Sequence, residues 1–149
     1  MPTVNTYEIY QCGSEEMHKQ RVFKKYKGKV DIVFTSSPYF GKEVYSDDPS
    51  LSAIKFNGYA AWRDDFLTRT LRTAVEWLRP GGYIVWNIAN IRLQKKRLPL
   101  EDDSCRILKD LGMKKVEVLK MALARMPGAN RTQTNVTIYR GDNQRHPRR

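Results

Sequence analysis

Ser36, Ser37, Pro38 and Tyr39 follow directly on the apolar run Ile32-Val33-Phe34. Serine hydroxyls and backbone carbonyls such as that of Ser37 can accept hydrogen bonds, and a tyrosine ring can stack on a flat group. Neither serine reads as a hydrolytic nucleophile, because no base is paired with it and no Gly-x-Ser-x-Gly turn surrounds it. The stretch Asp31-Ile32-Val33-Phe34-Thr35 that must position these groups is too short for a helix and rich in strand formers, so it predicts a buried strand. Pro38 stops the ladder and biases Ser37 to an extended backbone. The polar tip therefore falls at the carboxyl end of a strand, where open α/β sheets hold ligands.

Ser36-Ser37-Pro38-Tyr39 resembles the catalytic loop of the DNA amino-methyltransferases, whose pattern is Asp, Asn or Ser, then Pro-Pro, then an aromatic residue. Ser37 departs from it, standing where the family has its first proline. The succession that follows is also similar to the DNA methylases of phages and restriction-modification systems. It runs through Tyr45-Ser46-Asp47-Asp48-Pro49, Trp62-Arg63-Asp64-Asp65-Phe66-Leu67, Trp77-Leu78-Arg79-Pro80-Gly81-Gly82 and Met121-Ala122-Leu123-Ala124-Arg125-Met126-Pro127-Gly128. The resemblance spans residues 7 to 140.

It implies methyl transfer from S-adenosylmethionine to the exocyclic amine of cytosine (N4) or adenine (N6) in DNA, inside a bacterial or phage-infected cell. Ser36 and the Ser37 carbonyl would accept the amine hydrogens, Pro38 would stiffen the loop, and Tyr39 would stack on a base turned out of the duplex. Cys12, Gly13, Ser14 and Glu15 would touch the donor's adenine ring. The glycine-rich turn and ribose-binding acid that hold this donor are not found. Binding of S-adenosylmethionine by this chain alone is therefore expected to be weak or absent. The missing strands would lie upstream of Met1. Something else, a second copy, another chain or a longer parent, should then cover the edge of the 31–35 strand.

Charge points the same way. The 149 residues carry 27 Lys and Arg against 16 acids, a net charge of +11. That balance favours phosphate backbones and salt-sensitive binding. Tyr45, Lys95, Lys96, Arg125 and Arg131 are the candidate nucleic-acid contacts. Two widely spaced cysteines, Cys12 and Cys105, suit reduced thiols in a cytoplasmic protein, and His18 and His146 have no metal-ligand spacing. No apolar run has the length of a membrane span.

The length suits one domain, read as a partial catalytic domain over residues 1–140 and a basic, mobile tail over 141–149. Residues 7–11 alternate and predict a strand, and Ser14 is placed to cap the helix after it. Residues 40–58 read as a long polar loop. Trp62, Phe66, Leu67, Thr70, Leu71, Ala74 and Leu78 recur at helical spacing, with Pro80-Gly81-Gly82 as the stop. A strand over 84–88, a helix from Pro99 to Gly112 and two final strands complete the order. This predicts an α/β chain of Rossmann-like methyltransferase type, incomplete, with its last two strands antiparallel. Asn87 should face the same crevice as the serines. Two further readings stay open: a catalytically inactive nucleic-acid-binding or assembly protein on this fold, and an RNA or protein N-methyltransferase.

Overall fold

The computed structural model describes residues 6–42, 44, 46–122 and 133–141. Tyr45, Arg125, Arg131 and the tail over 142–149 lie outside the described residues.

A 3₁₀ turn (Ser14–Lys19) leads into α1 (Arg21–Tyr26) and β1 (Val30–Ser36). Two single-turn helices follow, α2 (Ser52–Lys55) and α3 (Gly58–Ala61). α3 runs on through a π-helical stretch (Trp62–Leu67) into α4 (Thr68–Trp77). Then come β2 (Leu78–Asn87), β3 (Ile91–Leu93), β4 (Lys96–Leu98), α5 (Leu100–Asp110), β5 (Met113–Ala122) and β6 (Gln133–Gly141). The main sheet has the order β1-β2-β6-β5; β1 and β2 are parallel, and β6 is antiparallel to both its neighbours. This is a mixed α/β sheet of incomplete Rossmann-like form, and its last two strands pair antiparallel as the sequence predicts.

The helices pack on one face of the sheet. Leu71, Ala74 and Val75 of α4 and Leu100, Ile107 and Leu108 of α5 meet Ile84 and Trp86 of β2 and Tyr139 of β6. Burying each large side chain contributes about 1.5–3 kcal/mol. Asn90 caps α5 from the preceding loop, its Oδ1 accepting from the amides of Glu101 (3.0 Å) and Asp102 (3.3 Å). Glu101, Asp102 and Asp103 in the first turn suit the positive end of the helix dipole.

Four sequence expectations need correction. Residues 7–11 form no strand; Tyr7 and Ile9 are each 85% exposed, because alternation without a partner strand stabilises nothing. Ser14 does not cap the following turn: Gly13 stands at the N-cap, and the Ser14 hydroxyl bonds the Thr70 hydroxyl instead at 2.9 Å. Pro80-Gly81-Gly82 is not the helix stop. α4 ends at Trp77, Leu78 already opens β2, and the glycines lie within an irregular stretch where the pairing steps from Val30↔Leu78 to Ile32↔Tyr83. Gly81 has φ +77°, and a Cβ on Gly82 would sit 3.1 Å from the Asp31 carbonyl oxygen, so the close approach of β2 to β1 requires glycine there. Finally, the 31–35 strand is not buried on both faces, although an edge left open by this chain's own strands is what the sequence predicts. β1 is an edge strand, with Ile32 53% and Phe34 74% exposed.

Candidate catalytic loop and basic hairpin

β1 places Ser36 as its last residue, paired across the sheet with Asn87, the last residue of β2. The Asn87 amide donates to the Ser36 hydroxyl at 3.4 Å, and its carbonyl oxygen accepts from the Thr134 hydroxyl at 3.4 Å. Ser36 is exposed, so this hydroxyl can receive further donors. Alternation along β1 puts Ser36 on the same face as Ile32 and Phe34, away from the helices.

Ser37 faces the other way. Its Oγ is buried, as is Nε1 of Trp77, and neither has a hydrogen-bond partner. Both residues line a cavity of about 140 Å³ walled by Val33, Thr35, Pro38, Phe66 and Trp86 and reaching Ser14. One turn thus aims consecutive serines into two environments.

The loop is anchored by its next aromatic. The Phe40 ring lies 5.9 Å from Tyr59 and 5.8 Å from Trp62, which stacks on Tyr59 and contacts Phe66. Such ring pairs add about 0.5–1.5 kcal/mol each beyond their buried area. Phe40 and Trp62 are therefore packing residues, and Tyr39, half-buried like Phe40, also packs against the core cluster. Beneath the cluster, the Tyr59 hydroxyl donates to Asp103 Oδ2 at 2.7 Å, and Arg106 pairs with the other Asp103 oxygen. Burial, reinforced by that hydrogen bond, pushes the Tyr59 phenol well above its ordinary range.

The four residues expected at the donor's adenine sit together, but two of their side chains are already engaged. The buried Glu15 carboxylate accepts from Lys55 at 2.7 Å and folds over Gly13, where a Cβ would come within 2.6 Å of it. Ser14 is held by Thr70. Cys12 is half-buried and, like Cys105, a free thiol.

Lys95 and Lys96 lie on a hairpin that sequence reasoning missed, β3 with β4. Gln94 (φ 48°) and Lys95 (φ 65°) form its turn. Two left-handed residues match the strand twist of a tight hairpin, but neither is the Gly or Asn that announces one. Ile91 and Leu98 anchor the hairpin in the core; Arg92, Lys95, Lys96 and Arg97 are exposed, and Arg97 pairs with Asp102. Leu93 packs against Gly41, so the basic tip is carried beside the loop that follows Tyr39. Among the described residues, no group of His, Cys, Asp or Glu could hold a metal ion, and no helix is long and apolar enough to cross a membrane.

Solved structures share this fold. A protein of Thermus thermophilus, provisionally described as a DNA modification methylase, superposes with a TM-score of 0.61 at 22% identity over 88% of this chain. The same protein complexed with S-adenosyl-L-methionine gives 0.59 at 21% identity over 88% of this chain, and a third structure of it 0.59 at 22% over 93%. The chain has that methylase's fold. It spans about half of that protein's length, 51% to 55%. No family model matches the sequence, and no curated protein matches it significantly.

Proposed function

We propose that this chain is the catalytic half of an S-adenosylmethionine-dependent DNA amino-methyltransferase, acting on the exocyclic amine of cytosine or adenine. The observation that carries the reading is Ser36, exposed at the carboxyl end of β1, hydrogen-bonded to Asn87 and backed by a loop that Phe40 pins in an aromatic cluster. Agreement of fold with a DNA modification methylase supports it.

The chemistry asked of these residues is modest. An exocyclic amine is a poor nucleophile because its lone pair is delocalised into the ring. The Ser36 hydroxyl and the Ser37 carbonyl, by accepting the amine hydrogens, favour the pyramidal nitrogen that can react. Asn87 holds the Ser36 oxygen in place by donating to it. Tyr39 offers a ring for the extruded base, and Pro38 limits loop motion. Lys95 and Lys96 supply phosphate contacts from the hairpin, and Tyr45, Arg125 and Arg131 remain candidates for the same role.

The donor's contribution is a methyl group carried on sulfonium. Cys12, Gly13, Ser14 and Glu15 do not by themselves form its site, since Glu15 is committed to Lys55 and Ser14 to Thr70. That engagement also gives weight to the inactive DNA-binding reading.

The test is methyl transfer by the full chain in its assembled form, with mass spectrometry of the product bases. N4-methylcytosine or N6-methyladenine in DNA is expected. Label on RNA or protein alone would favour the third reading; DNA binding with no transfer would favour the second. Ser36→Ala should lower the single-turnover rate and leave DNA affinity nearly intact, because its bonds strengthen only in the transition state.

A further inference from the structure

A line of hydrogen bonds crosses the sheet from β6 to Ser36. Strand pairing sets Ser36 beside Asn87 and Asn87 beside Val136, and Thr134 stands two residues from Val136 on the same face. The Thr134 hydroxyl donates to Asn87 Oδ1 at 3.4 Å, and Asn87 Nδ2 donates to Ser36 Oγ at 3.4 Å. A hydroxyl can donate or accept, so such a line could run either way. Burial sets its direction. Thr134 is only 6% exposed, whereas Ser36 is exposed. With the Asn87 amide turned over, the Thr134 proton would have to find another acceptor in a buried place. In the direction observed, Asn87 takes that proton, and the one left over belongs to Ser36, where solvent or a substrate can satisfy it. Asn87 thus fills one lone pair of Ser36 Oγ and leaves the other lone pair and the proton free.

We infer that Thr134 is a positioning residue for methyl transfer, fixing the Asn87 amide so that Ser36 presents an acceptor and a donor together. The inference rests on the proposed methyltransferase reading and narrows its substrate. An acceptor beside a donor fits an exocyclic amine flanked by an unprotonated ring nitrogen, as N4 is by N3 in cytosine and N6 by N1 in adenine. The free lone pair of Ser36 takes an amine hydrogen while its proton goes to the ring nitrogen. The base is then read on its pairing edge once it has left the duplex. A Lys or Arg side chain offers donors alone and would leave the Ser36 proton facing another N–H. Ser36 therefore selects a nucleobase over a protein amine, and Thr134 sets that selection from two strands away.

The experiment uses the full chain in its assembled form. Thr134→Val keeps the side-chain shape and removes the hydroxyl. It should lower the single-turnover rate roughly 10- to 100-fold with DNA affinity unchanged, and Thr134→Ser should recover most of that loss. Oligonucleotides whose methylated base lacks the ring nitrogen, 3-deazacytosine or 1-deazaadenine, separate positioning from a merely structural role. They should react more slowly than the ordinary base with the unsubstituted chain, and that penalty should shrink in Thr134→Val and in Ser36→Ala. NMR of the Asn87 side-chain amide reads its orientation without activity. The signal should shift and exchange faster in Thr134→Val and return in Thr134→Ser. An Asn87 signal indifferent to Thr134→Val, equal rates for Thr134→Val and Thr134→Ser, or a deaza penalty as large in Ser36→Ala as in the unsubstituted chain would each overturn the proposal. If Thr134→Val does not fold, the Ser36→Ala comparison decides alone. A chain that transfers no methyl group, yet whose Asn87 signal responds to Thr134→Val, would sink the proposed function and leave the Thr134–Asn87–Ser36 line standing.

Discussion

The two faces of β1 and β2 are built from similar residues and meet different surroundings. On one face Val33, Ile84 and Trp86 lie beneath the helices, with Ile84 and Trp86 at 0% and 1% exposure. On the other, no helix among the described residues lies over Ile32, Phe34, Tyr83 and Val85. A strand sequence therefore specifies what each face is made for, but not whether the covering element belongs to the same stretch of chain. The proposed catalytic loop divides the same way, with Ser37 turned toward the covered side and Ser36 toward the open one.

The sharpest way to break that comparison is to truncate one large side chain on each face. Trp86→Ala should cost about 3–5 kcal/mol, since it empties a packed site and leaves Ser104 without the indole donor. Phe34→Ala in the chain alone should stay within about 0.5 kcal/mol. Urea unfolding of both variants decides it, and equal losses would mean the open face is covered after all.

A second test stays on the covered side. Tyr59→Phe removes the hydroxyl donor from buried Asp103 and should cost about 1–3 kcal/mol, measured by the same unfolding curves. Alkaline pH probes the group without mutation. Burial raises the Tyr59 phenol, and burial with Cys105 raises that of Tyr139, both from an ordinary value of 10.0. The folded state then holds these protons where the unfolded chain releases them. Stability from both groups is complete below pH 10 and falls as pH rises above it. Ultraviolet titration should show both tyrosines ionising only with unfolding; early ionisation would mean a looser core.

The smallest effect lies on the hairpin. Lys95→Ala with Lys96→Ala should leave the melting temperature unchanged and lower the log–log salt slope of duplex binding by about 0.9 per lost phosphate contact. An unaltered slope would remove the hairpin from the DNA surface.

Much of this architecture was legible because its signals are local. The run Ile32-Val33-Phe34, the helical spacing through Leu71 and Ala74, and Gly112 (φ +82°) after α5 each identify an element from a few residues. Misreadings arose where a signal depends on distant partners. Residues 7–11 alternate as a strand does, yet a strand exists only against a neighbour. Gly81-Gly82 resembles a helix stop, but its role is set by the carbonyl of Asp31 across the sheet. Helical spacing conceals the π-helical stretch, where the Thr68 amide bonds back to Arg63 rather than Asp64. Within the site, sequence placed Ser36 and Asn87 in one crevice; it could not show that Lys55 already occupies Glu15.

One consequence concerns synthesis. β6 comes last in the described chain but sits between β2 and β5. A ribosome delivers the chain from its amino end at about 5–20 residues per second. Until residue 141 has emerged, β2 and β5 have nothing between them, and the sheet cannot close. Pairing of β2 and β5 through β6 therefore waits on the last described strand, and a nascent chain stalled before β6 should be an early target for chaperones and proteases.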